Sequence, residues 1–550
     1  MIEGAENPEP EALRHKTLFA RLLGGKLCLL QIIYLPNDEE SDHQSVTATV
    51  AVGAGERTKP LHIRRLSKSR IKRPIDFLRS LHFVRVPLPA DDQINNHVKY
   101  YFSEGQIEHS QPVYFYNKQA EENRRLYYVP FSQRRKGSQA QHLRRTNSST
   151  IVFVQRPVFA VENTVRFRFM ESGLVCCCLY MLGRVHDQFS SKKNYLFYEK
   201  FAAKAEEGAF ELFVTMRREN PDSFFIIEKD SADYRKVAST PGVITKYSWA
   251  YYWKIFTAHT FIGTEVPTHL SIIRSNNSWL RRRIYIKPYV FLQHGIIYMK
   301  NLGRSSVYVH GREGEPEIII ASSQKEKAVI VRDLLLPPER VAVTGLGQFS
   351  LIQPNSVAGL KPDVVTIMLT WRPYDEHIAE PSETAYLQVL LDAVEACRSV
   401  MQDADLRILP HPKFRDTLLQ SEFGNACWQG TVSDALADTK LLITDYSSIA
   451  YNAFYRGAGV VFFQPDVEEY EDATGELIPQ ASEYIGHRAF SAEELAETLS
   501  GCLDEDGTIS LNSARTPEHE ANYRLINEFQ DGKNIERISE MLVSRFHTQQ

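Results

Sequence analysis

The spacing of hydrophobic and polar residues changes part-way along the chain. Between about residues 16 and 168 apolar and polar positions alternate in short stretches separated by turn residues, which is typical of half-buried strands. Examples are residues 45–52, 150–155 and 164–169. From about residue 190 apolar strands alternate with amphipathic helices, such as residues 383–401 and 492–503. This second pattern indicates βαβ units and parallel sheets.

Together these patterns predict an α/β fold with a GT-B-like pair of Rossmann-type domains facing a cleft, preceded by a β-rich N-terminal domain. Residues 354–362 contain Pro, Gly and Asn without periodicity, so we predict that they link the two βαβ units. A C-terminal helix is free to cross back to the first unit. The predicted domains are a β-rich accessory domain at 1–170, a first Rossmann-like domain at 171–355 and a second at 356–550. The polar, basic stretch 132–149 is predicted to be an exposed loop.

Composition narrows the class of protein. A chain of 550 residues exceeds one hydrophobic core and predicts two or three domains. With 43% hydrophobic and 24% charged residues, the chain has the composition of a globular protein. Its formal net charge of −4 supplies no bulk electrostatic attraction for nucleic acid. We therefore expect no nucleic-acid partner.

Cysteine usage and hydropathy predict a cytoplasmic protein. The seven cysteines show neither a metal-ligand spacing nor a paired framework, and Cys176, Cys177 and Cys178 lie in an apolar stretch, so reduced core thiols are expected. The first residues are acidic and lack the features of a signal peptide. The longest apolar runs, 27–35 and 174–182, are about ten residues and too short to span a bilayer. Any membrane contact is therefore expected to be peripheral.

Basic residues beside aromatic ones suit contact with an anionic membrane surface. The segments 64–73 and 279–285 have this composition, and the second contains Arg281, Arg282 and Arg283. The alternative for each segment is an ordinary solvated face.

Polar residues follow an apolar strand at 441–443. Thr444 ends this strand, and Ser447 and Ser448 precede residues with helical spacing. Backbone amides and hydroxyls at such a position suit a phosphate group. The alternative is that the serines are ordinary helix caps.

Other apolar runs in the C-terminal half also end in polar residues that suit an anionic substrate. In open parallel sheets ligands bind outside the carboxyl ends of the strands. The motifs in question are His294-Gly295, Thr344-Gly345, Thr370-Trp371-Arg372 and Pro410-His411-Pro412.

In fixed order, the motifs HG, TG, TWR, HP and TDYSS resemble those of the CDP-glycerol glycerophosphotransferases, the teichoic acid polymerases and primases of bacterial envelopes. The resemblance covers roughly residues 190–540. It implies that glycerol phosphate passes from CDP-glycerol to a hydroxyl of a lipid-linked or polymer acceptor, releasing CMP, during synthesis of a teichoic-acid-like polymer. It also implies a GT-B arrangement with the acceptor in the first Rossmann-like domain and the CDP donor in the second. The enzyme would then act at the inner face of the cell membrane.

Three alternatives stay open at this point. The donor is CDP-ribitol instead of CDP-glycerol, or the enzyme is a GT-B glycosyltransferase that uses a nucleotide sugar. The third alternative is a non-catalytic scaffold whose β-rich domain binds wall polymer.

The resemblance assigns catalytic roles to two histidines. His294 is the candidate base, since a group titrating near neutrality can accept the proton of an attacking hydroxyl. His411, restricted by Pro410 and Pro412, would donate to the leaving phosphate. A hydrogen-bonded core histidine and a turn histidine are the respective alternatives.

The remaining candidates would bind the CDP donor. Arg372 is expected to pair bidentately with phosphate, with a surface ion pair as the alternative. Trp371 either lies under the base or anchors the domain, and packing is favoured. Metal ions and cofactors are not expected, because no acidic or histidine cluster has convincing ligand spacing. The complete donor set is Gly295, Thr370, Trp371, Arg372, Pro410, Pro412, Thr444, Ser447, Ser448 and Asn452.

Two positions depart from the family pattern. Asn452 stands where many members have a carboxylate, and Gln348 stands where the TG motif often continues into an arginine. Both changes replace a charge by an amide, and they leave the identity of the polyol open.

Overall fold

The structure is a computed structural model, and the residues that it describes form two compact units. The β-rich unit comprises Met1–Gln188, Ser271–Ile286 and Gly311–Gly314, and the α/β unit comprises Phe189–Leu270, Lys287–His310 and Glu315–Gln550. The described residues are 13–24, 26–36, 45–53, 55–66, 74–88, 95–104, 107–113, 128–145, 150–190, 193–271, 278–301, 306–311, 314–360, 363–377, 381–402, 404–412 and 414–547.

The described part of the β-rich unit contains a ten-stranded sheet with the order β1-β2-β4-β3-β6-β10-β9-β8, in which β5 also pairs with β2 and β7 with β6. All pairs are antiparallel except β2 with β4. The two end strands, β1 and β8, contact each other, which shows that the sheet curls. The strands are β1 Arg14–Leu23, β2 Lys26–Pro36, β3 Ser45–Val52, β4 Leu61–Leu66, β5 Leu81–Pro87, β6 Asn95–Glu104, β7 Ile107–Pro112, β8 Tyr128–Lys136, β9 Gln139–Arg145 and β10 Ile151–Pro157.

The alternating pattern identified strands β3 and β10 correctly, but two local predictions were wrong. Most of the predicted loop at 132–149 forms the β8–β9 hairpin, which turns at Gly137 with φ +59°, while residues 146–149 lie outside the described part. The predicted strand at 164–169 is instead a short helix that begins after Thr164, whose side chain accepts a hydrogen bond from the Phe167 amide.

Helices occur in both units. In chain order they are α1 Pro74–Arg79, α2 Val165–Met170, α3 Gly173–Phe189, α4 Ala209–Glu219, α5 Tyr234–Val237, α6 Trp249–Thr257, α7 Ser278–Tyr285, α8 Gln324–Leu334, α9 Ala385–Val400, α10 Arg415–Leu419, α11 Val432–Leu436, α12 Ile449–Tyr455, α13 Val467–Thr474, α14 Ala492–Gly501, α15 Leu511–Ala514, α16 Pro517–Ile526 and α17 Asn534–His547. Helices α9 and α14 confirm the two amphipathic segments predicted at 383–401 and 492–503.

An ion pair with a buried arginine attaches helix α7 to helix α3 in the β-rich unit. The guanidinium of Arg283 is fully buried and donates to both carboxylate oxygens of Asp187 at 2.6 and 2.7 Å. Trp279 packs on Tyr180 with ring centroids 5.4 Å apart. Because of these contacts, helix α7 and nearly all of α3 belong to the β-rich unit, whereas the sequence had placed both in the first Rossmann-like domain.

The α/β unit contains two parallel sheets, which confirms the predicted α/β fold with its β-rich N-terminal region. The first sheet has the order β13-β12-β11-β14-β15-β16-β17 and the second β19-β18-β20-β21-β22. Their strands have few polar residues because helices cover both faces. The strands are β11 Tyr195–Tyr198, β12 Ser223–Ile227, β13 Val243–Thr245, β14 Thr260–Gly263, β15 Tyr289–Phe291, β16 Ile318–Ala321, β17 Val341–Val343, β18 Val364–Ile367, β19 Asp405–Ile408, β20 Leu441–Thr444, β21 Gly459–Phe463 and β22 His487–Ala489.

The C-terminal helices return to the first sheet of this unit. The Ile526 carbonyl at the end of α16 accepts from the Ser322 hydroxyl at 2.6 Å, and Asn534 at the start of α17 donates to the Leu346 carbonyl at 2.9 Å. Helix α17 packs on α4, and Lys193 donates to the Phe546 carbonyl at 2.9 Å. The chain that builds the second sheet is thereby fastened to the first.

Most of the cysteines are buried, as expected for core thiols. They are Cys28, Cys176, Cys397, Cys427 and Cys502. Cys178 is exposed, so the expectation fails for that residue. Within the described ranges, the structure contains no helix whose length and apolar character would let it cross a membrane.

Candidate active site

His294 lies at the carboxyl edge of the first sheet, just after strand β15. The preceding residue, Gln293, has φ +56°, a left-handed conformation that turns the chain sharply. Its side-chain amide donates to the Ile320 carbonyl at 2.5 Å and fixes that turn. As a result, the His294 side chain is exposed rather than buried in the sheet. Strained backbone of this kind is frequent at functional sites.

The His294 ring is oriented by a backbone carbonyl. Its Nδ1 lies 3.1 Å from the carbonyl oxygen of Thr264, which follows strand β14. Because a carbonyl only accepts, Nδ1 carries the hydrogen and Nε2 presents its lone pair. This is the tautomer that a general base needs.

Gly295 brings the first sheet close to the second. A Cβ atom at Gly295 would lie 3.3 Å from the hydroxyl oxygen of Ser448, the residue before helix α12. The HG and TDYSS motifs, separated by about 150 residues of chain, therefore meet at one place. His294 stands next to this contact.

Ser447 and Ser448 present hydroxyl groups that make little use of hydrogen-bond partners among the described residues. The Ser448 side chain makes no capping hydrogen bond to helix α12. The Ser447 hydroxyl accepts only a long 3.4 Å bond from the Ile449 amide. The capping alternative is thus weak for both serines. Helix α12 has seven residues, so hydroxyls and amides, rather than a long helix dipole, are the groups available for a phosphate.

Thr444 does not face this site, so the prediction that it binds donor was wrong. Its side chain is fully buried, and its hydroxyl donates to the Met368 carbonyl at 2.7 Å. Thr444 is the last residue of strand β20, and its side chain points into the sheet rather than beyond it. It fastens strand β20 to the end of strand β18.

Arg372 is also buried, which contradicts its predicted contact with phosphate. Its Nε and Nη2 donate to the two carboxylate oxygens of Asp466 at 2.6 and 2.9 Å. Its Nη1 donates to Asp445 and, at 2.6 Å, to the Thr370 carbonyl. With no exposed side-chain surface, the guanidinium has no room for a bidentate phosphate contact. The ion pair that was the alternative exists, but in the interior.

The sequence did not single out Asp445 and Asp466, the two carboxylates that bind Arg372. Both oxygens of Asp445 lie 3.0 Å from the Thr370 amide, so this carboxylate holds the ends of strands β18 and β20 together. Asp466 also accepts from the hydroxyls of Tyr374 and Tyr446. Burial alone would raise the pKa of Asp466, but hydrogen bonding and charge from Arg372 outweigh it and lower that pKa.

Trp371 orients His411. Their rings stack with centroids 5.5 Å apart and an angle of 27°, and Trp371 is half-buried against the core of the second sheet. The His411 amide donates to the Tyr386 hydroxyl at 2.8 Å. Pro410 and Pro412 flank it in the sequence. The packing role favoured for Trp371 is the one that the structure shows.

Two polar atoms of the predicted donor set are buried without a partner in the described residues. They are Oγ1 of Thr370 and Oδ1 of Asn452. Polar atoms in such positions are rare in folded proteins unless a ligand or water satisfies them. Both atoms are available for a hydrogen bond to a ligand or to water.

Lys300 is a cation near the site that sequence reasoning missed. Its ammonium lies 5.9 Å from the centroid of the Tyr470 ring, which stacks on Tyr446. Burial lowers the pKa of Lys300, with Asp445 opposing and Arg372 adding to the shift, although part of the side chain reaches solvent. It lies six residues after His294 in the sequence.

Comparison with known proteins identifies the C-terminal part of the chain. Residues 355–544 match the profile of the family described as CDP-glycerol:poly(glycerophosphate) glycerophosphotransferase. The matched residues make up about a third of the chain. The match supports the resemblance seen in the TWR, HP and TDYSS motifs, which lie within these residues, whereas the HG and TG motifs precede them.

A protein of teichoic acid biosynthesis is similar to part of this chain. The minor teichoic acid biosynthesis protein GgaB of Bacillus subtilis (strain 168) is 22% identical over 311 residues, which cover 52% of this chain and 33% of GgaB. The match thus spans about a third of that relative's length.

Solved structures of the wall teichoic acid polymerase TagF have a similar fold. One variant has a TM-score of 0.50 and 16% identity, covering 70% of this chain and 97% of TagF. Another variant, soaked with CDPG, has a TM-score of 0.50 and 17% identity, covering 71% and 99%. At this identity the likeness concerns the fold alone.

Proposed function

We propose that this protein transfers glycerol phosphate from CDP-glycerol to a hydroxyl of a lipid-linked or polymer acceptor and releases CMP. The observation that carries the proposal is the close approach of Gly295 to Ser448. Because of this approach, the oriented imidazole of His294 lies beside the segment that carries the Ser448 hydroxyl. The chain also matches the glycerophosphotransferase family over residues 355–544.

The attack step follows from the tautomer of His294. The acceptor hydroxyl oxygen forms a bond to the phosphorus that carries glycerol, and its proton passes to Nε2 of His294. The bond from that phosphorus to the bridging oxygen breaks, and CMP leaves with this oxygen. His294 is thus the catalytic base, held by the Thr264 carbonyl through Nδ1.

Charge that develops on the leaving CMP needs donors. His411, stacked on Trp371 at the end of strand β19, is positioned at the same sheet edge as Thr370 and Ser447. An imidazolium fixed in this way stabilises the phosphate as it gains charge. His411 is the proposed donor to the leaving group.

Affinity for the diphosphate is assigned to groups other than Arg372. Ser447, Ser448 and the ammonium of Lys300 are available, whereas Arg372 is occupied by two carboxylates. Thr370 would satisfy its buried hydroxyl oxygen on the diphosphate, and Asn452 would satisfy its buried Oδ1 on a polyol hydroxyl. Arg372 then positions the TWR and TDYSS segments rather than touching substrate.

Access to a lipid-linked acceptor is proposed to involve the inner face of the cell membrane. One face of helix α3 exposes Leu174, Met181, Leu182 and Val185, and Arg184 lies beside them. Apolar side chains with flanking arginines suit the headgroup region of an anionic bilayer.

The two basic segments noted in the sequence support membrane contact less well. In the segment 279–285, Arg281 and Arg283 are buried and only Arg282 is exposed. Most of the other segment, residues 67–73, lies outside the described ranges. Helix α3 is therefore the proposed contact.

The decisive experiment incubates the protein with CDP-glycerol and a synthetic lipid-linked glycerol phosphate primer. We expect CMP release, and mass spectrometry of the primer should show added glycerol phosphate units. Parallel reactions with CDP-ribitol and a nucleotide sugar test the donor alternatives. Release of no nucleotide from any donor would support a non-catalytic role.

A further inference from the structure

Two amide side chains of the α/β unit each have a buried polar atom that is not used. Nε2 of Gln348 and Oδ1 of Asn452 have no hydrogen-bond partner in the ranges that the structure describes. Gln348 is only 8% exposed. One atom is a donor and the other an acceptor, so a single ligand group could satisfy both.

Contacts of helix α12 place its C-terminal end beside the segment that carries Gln348. Ser448, Asn452 and Tyr455 are spaced by four and three residues, so they share one face of the helix. Ser448 meets Gly295 at one end of this face. At the other end the Tyr455 ring lies 4.8 Å from the ring of Phe349, the residue after Gln348.

A second chain of contacts links Gln348 to the proposed base. The backbone nitrogen of Gln348 lies 2.9 Å from the position that a Cβ atom would take at Gly208. The neighbouring Glu207 carboxylate accepts from the Thr264 hydroxyl, and the Thr264 carbonyl accepts from Nδ1 of His294. Gln348 and His294 are therefore connected through residues that touch one another.

We propose that Gln348 and Asn452 form a subsite for an uncharged hydroxyl of a glycerol unit. Nε2 of Gln348 donates to the hydroxyl oxygen, and Oδ1 of Asn452 accepts its hydrogen. A hydroxyl can do both at once, whereas a phosphate or carboxylate oxygen cannot donate to Asn452. This subsite rests on the proposed function and makes it selective for a neutral polyol.

The hydroxyl has two sources with the same chemistry. It belongs either to the glycerol that is transferred or to the terminal glycerol of the acceptor. Each source changes a different measurable quantity when the subsite is removed.

The donor arm uses the variants Gln348→Met and Asn452→Leu, which keep the approximate size and remove the polar atoms. Calorimetry compares CDP, CDP-glycerol and two CDP-glycerol analogues that each lack one hydroxyl. The native protein should bind CDP-glycerol roughly ten- to a hundredfold more tightly than one analogue. Both variants should lose this discrimination and keep their affinity for CDP, which also reports that they are folded.

The acceptor arm measures the KM of a lipid-linked glycerol phosphate primer and of a primer that lacks a terminal hydroxyl. If the acceptor supplies the hydroxyl, the variants raise the primer KM by a similar factor while CDP-glycerol affinity stays native. Gln388→Met is the matched control, since Gln388 is an exposed amide on helix α9 that bonds Asp392. It should change neither quantity.

The subsite would be overturned if both variants distinguished the CDP-glycerol analogues and the two primers as well as the native protein does. Water would then satisfy the two amides. CMP release from CDP-glycerol would persist in that case, and the proposed function would stand. A native protein that neither binds nor consumes CDP-glycerol would instead overturn the proposed function together with the subsite.

Discussion

Gly295 and Ser448 approach so closely that a methyl group on the glycine would lie 3.3 Å from the serine hydroxyl oxygen. The glycine follows a strand of the first sheet, and the serine follows a strand of the second. This contact sets the distance between the proposed base and the proposed phosphate site. Because the two residues have different neighbours in sequence, only the folded α/β unit creates the pairing.

Gly295→Ala tests the importance of this contact. The distance from the added Cβ to the Ser448 hydroxyl oxygen is shorter than an ordinary van der Waals contact, so Ser448 must move by a few tenths of an ångström. Small misplacements of reacting groups are costly, and we expect about a tenfold loss of kcat with an unchanged melting temperature. Gly501→Ala is the control, because a Cβ there meets nothing within 4 Å. Native turnover of Gly295→Ala would show that the site tolerates this shift.

His294→Ala should reduce turnover by roughly 10²–10⁴ and leave CDP affinity close to native. A general base acts in the transition state rather than in binding of the nucleotide. Steady-state CMP release and calorimetry with CDP measure the two effects separately. The alternative, a histidine that only positions the chain, predicts equal losses of CDP affinity and stability.

Arg372→Met should destabilise the protein by about 3–5 kcal/mol, because the substitution leaves the carboxylates of Asp445 and Asp466 without their cation. Chemical denaturation measures this loss. Arg407→Met is a suitable comparison, since Arg407 pairs with a partly exposed Asp438 and should cost about 1 kcal/mol or less. A stable Arg372→Met protein with weakened CDP binding would restore the direct phosphate contact that the buried guanidinium argues against.

The sequence was informative where position along a strand decides the answer. His294, Gly295 and Ser448 follow apolar strands, and residues after parallel strands lie at the edge of a sheet whatever else surrounds them. The long βα alternation also predicted the two parallel sheets. Helix α2 was missed because six residues do not separate a period of two from one of 3.6.

Side-chain direction was the part that the sequence could not supply. Thr444 and Arg372 also lie at strand ends, yet both turn inward to partners far away in the chain. Asp445 and Asp466, which neutralise Arg372, are 73 and 94 residues from it. The residues next to Arg372 in the sequence do not reveal such distant partners. They also do not reveal whether an arginine side chain is buried or exposed.

Stability should depend on pH through His519. Burial lowers the pKa of His519 from 6.5 to about 4, and His487 adds to this shift. Its Nδ1 accepts from the Thr516 amide at the start of helix α16, which requires the neutral ring. Since the unfolded chain binds the proton more readily, the stabilisation is complete above about pH 6.5 and is lost as pH falls towards 4.

His519→Gln should flatten this dependence. Glutamine at this position can still bond back to the Thr516 amide, and it does not titrate. Melting temperatures of the native protein and the variant between pH 7 and pH 4.5 provide the measurement. If both proteins lose stability equally over this range, another group is responsible.

The proposed membrane contact makes its own prediction, with separate apolar and electrostatic parts. Leu174 is 78% exposed and Met181 59% exposed on helix α3, and Arg184 lies on the same stretch. Met181→Ser combined with Leu182→Ser should weaken sedimentation with anionic liposomes at every salt concentration, because apolar burial is not screened. Arg184→Gln should remove about 1 kcal/mol of attraction at low salt and little at high salt. Leu78→Ser, an exposed leucine on helix α1 of the same unit, is the control for a general loss of apolar surface. Equal losses in Leu78→Ser and in the α3 variants, or no loss in either, would mean that helix α3 is not the part that meets the bilayer.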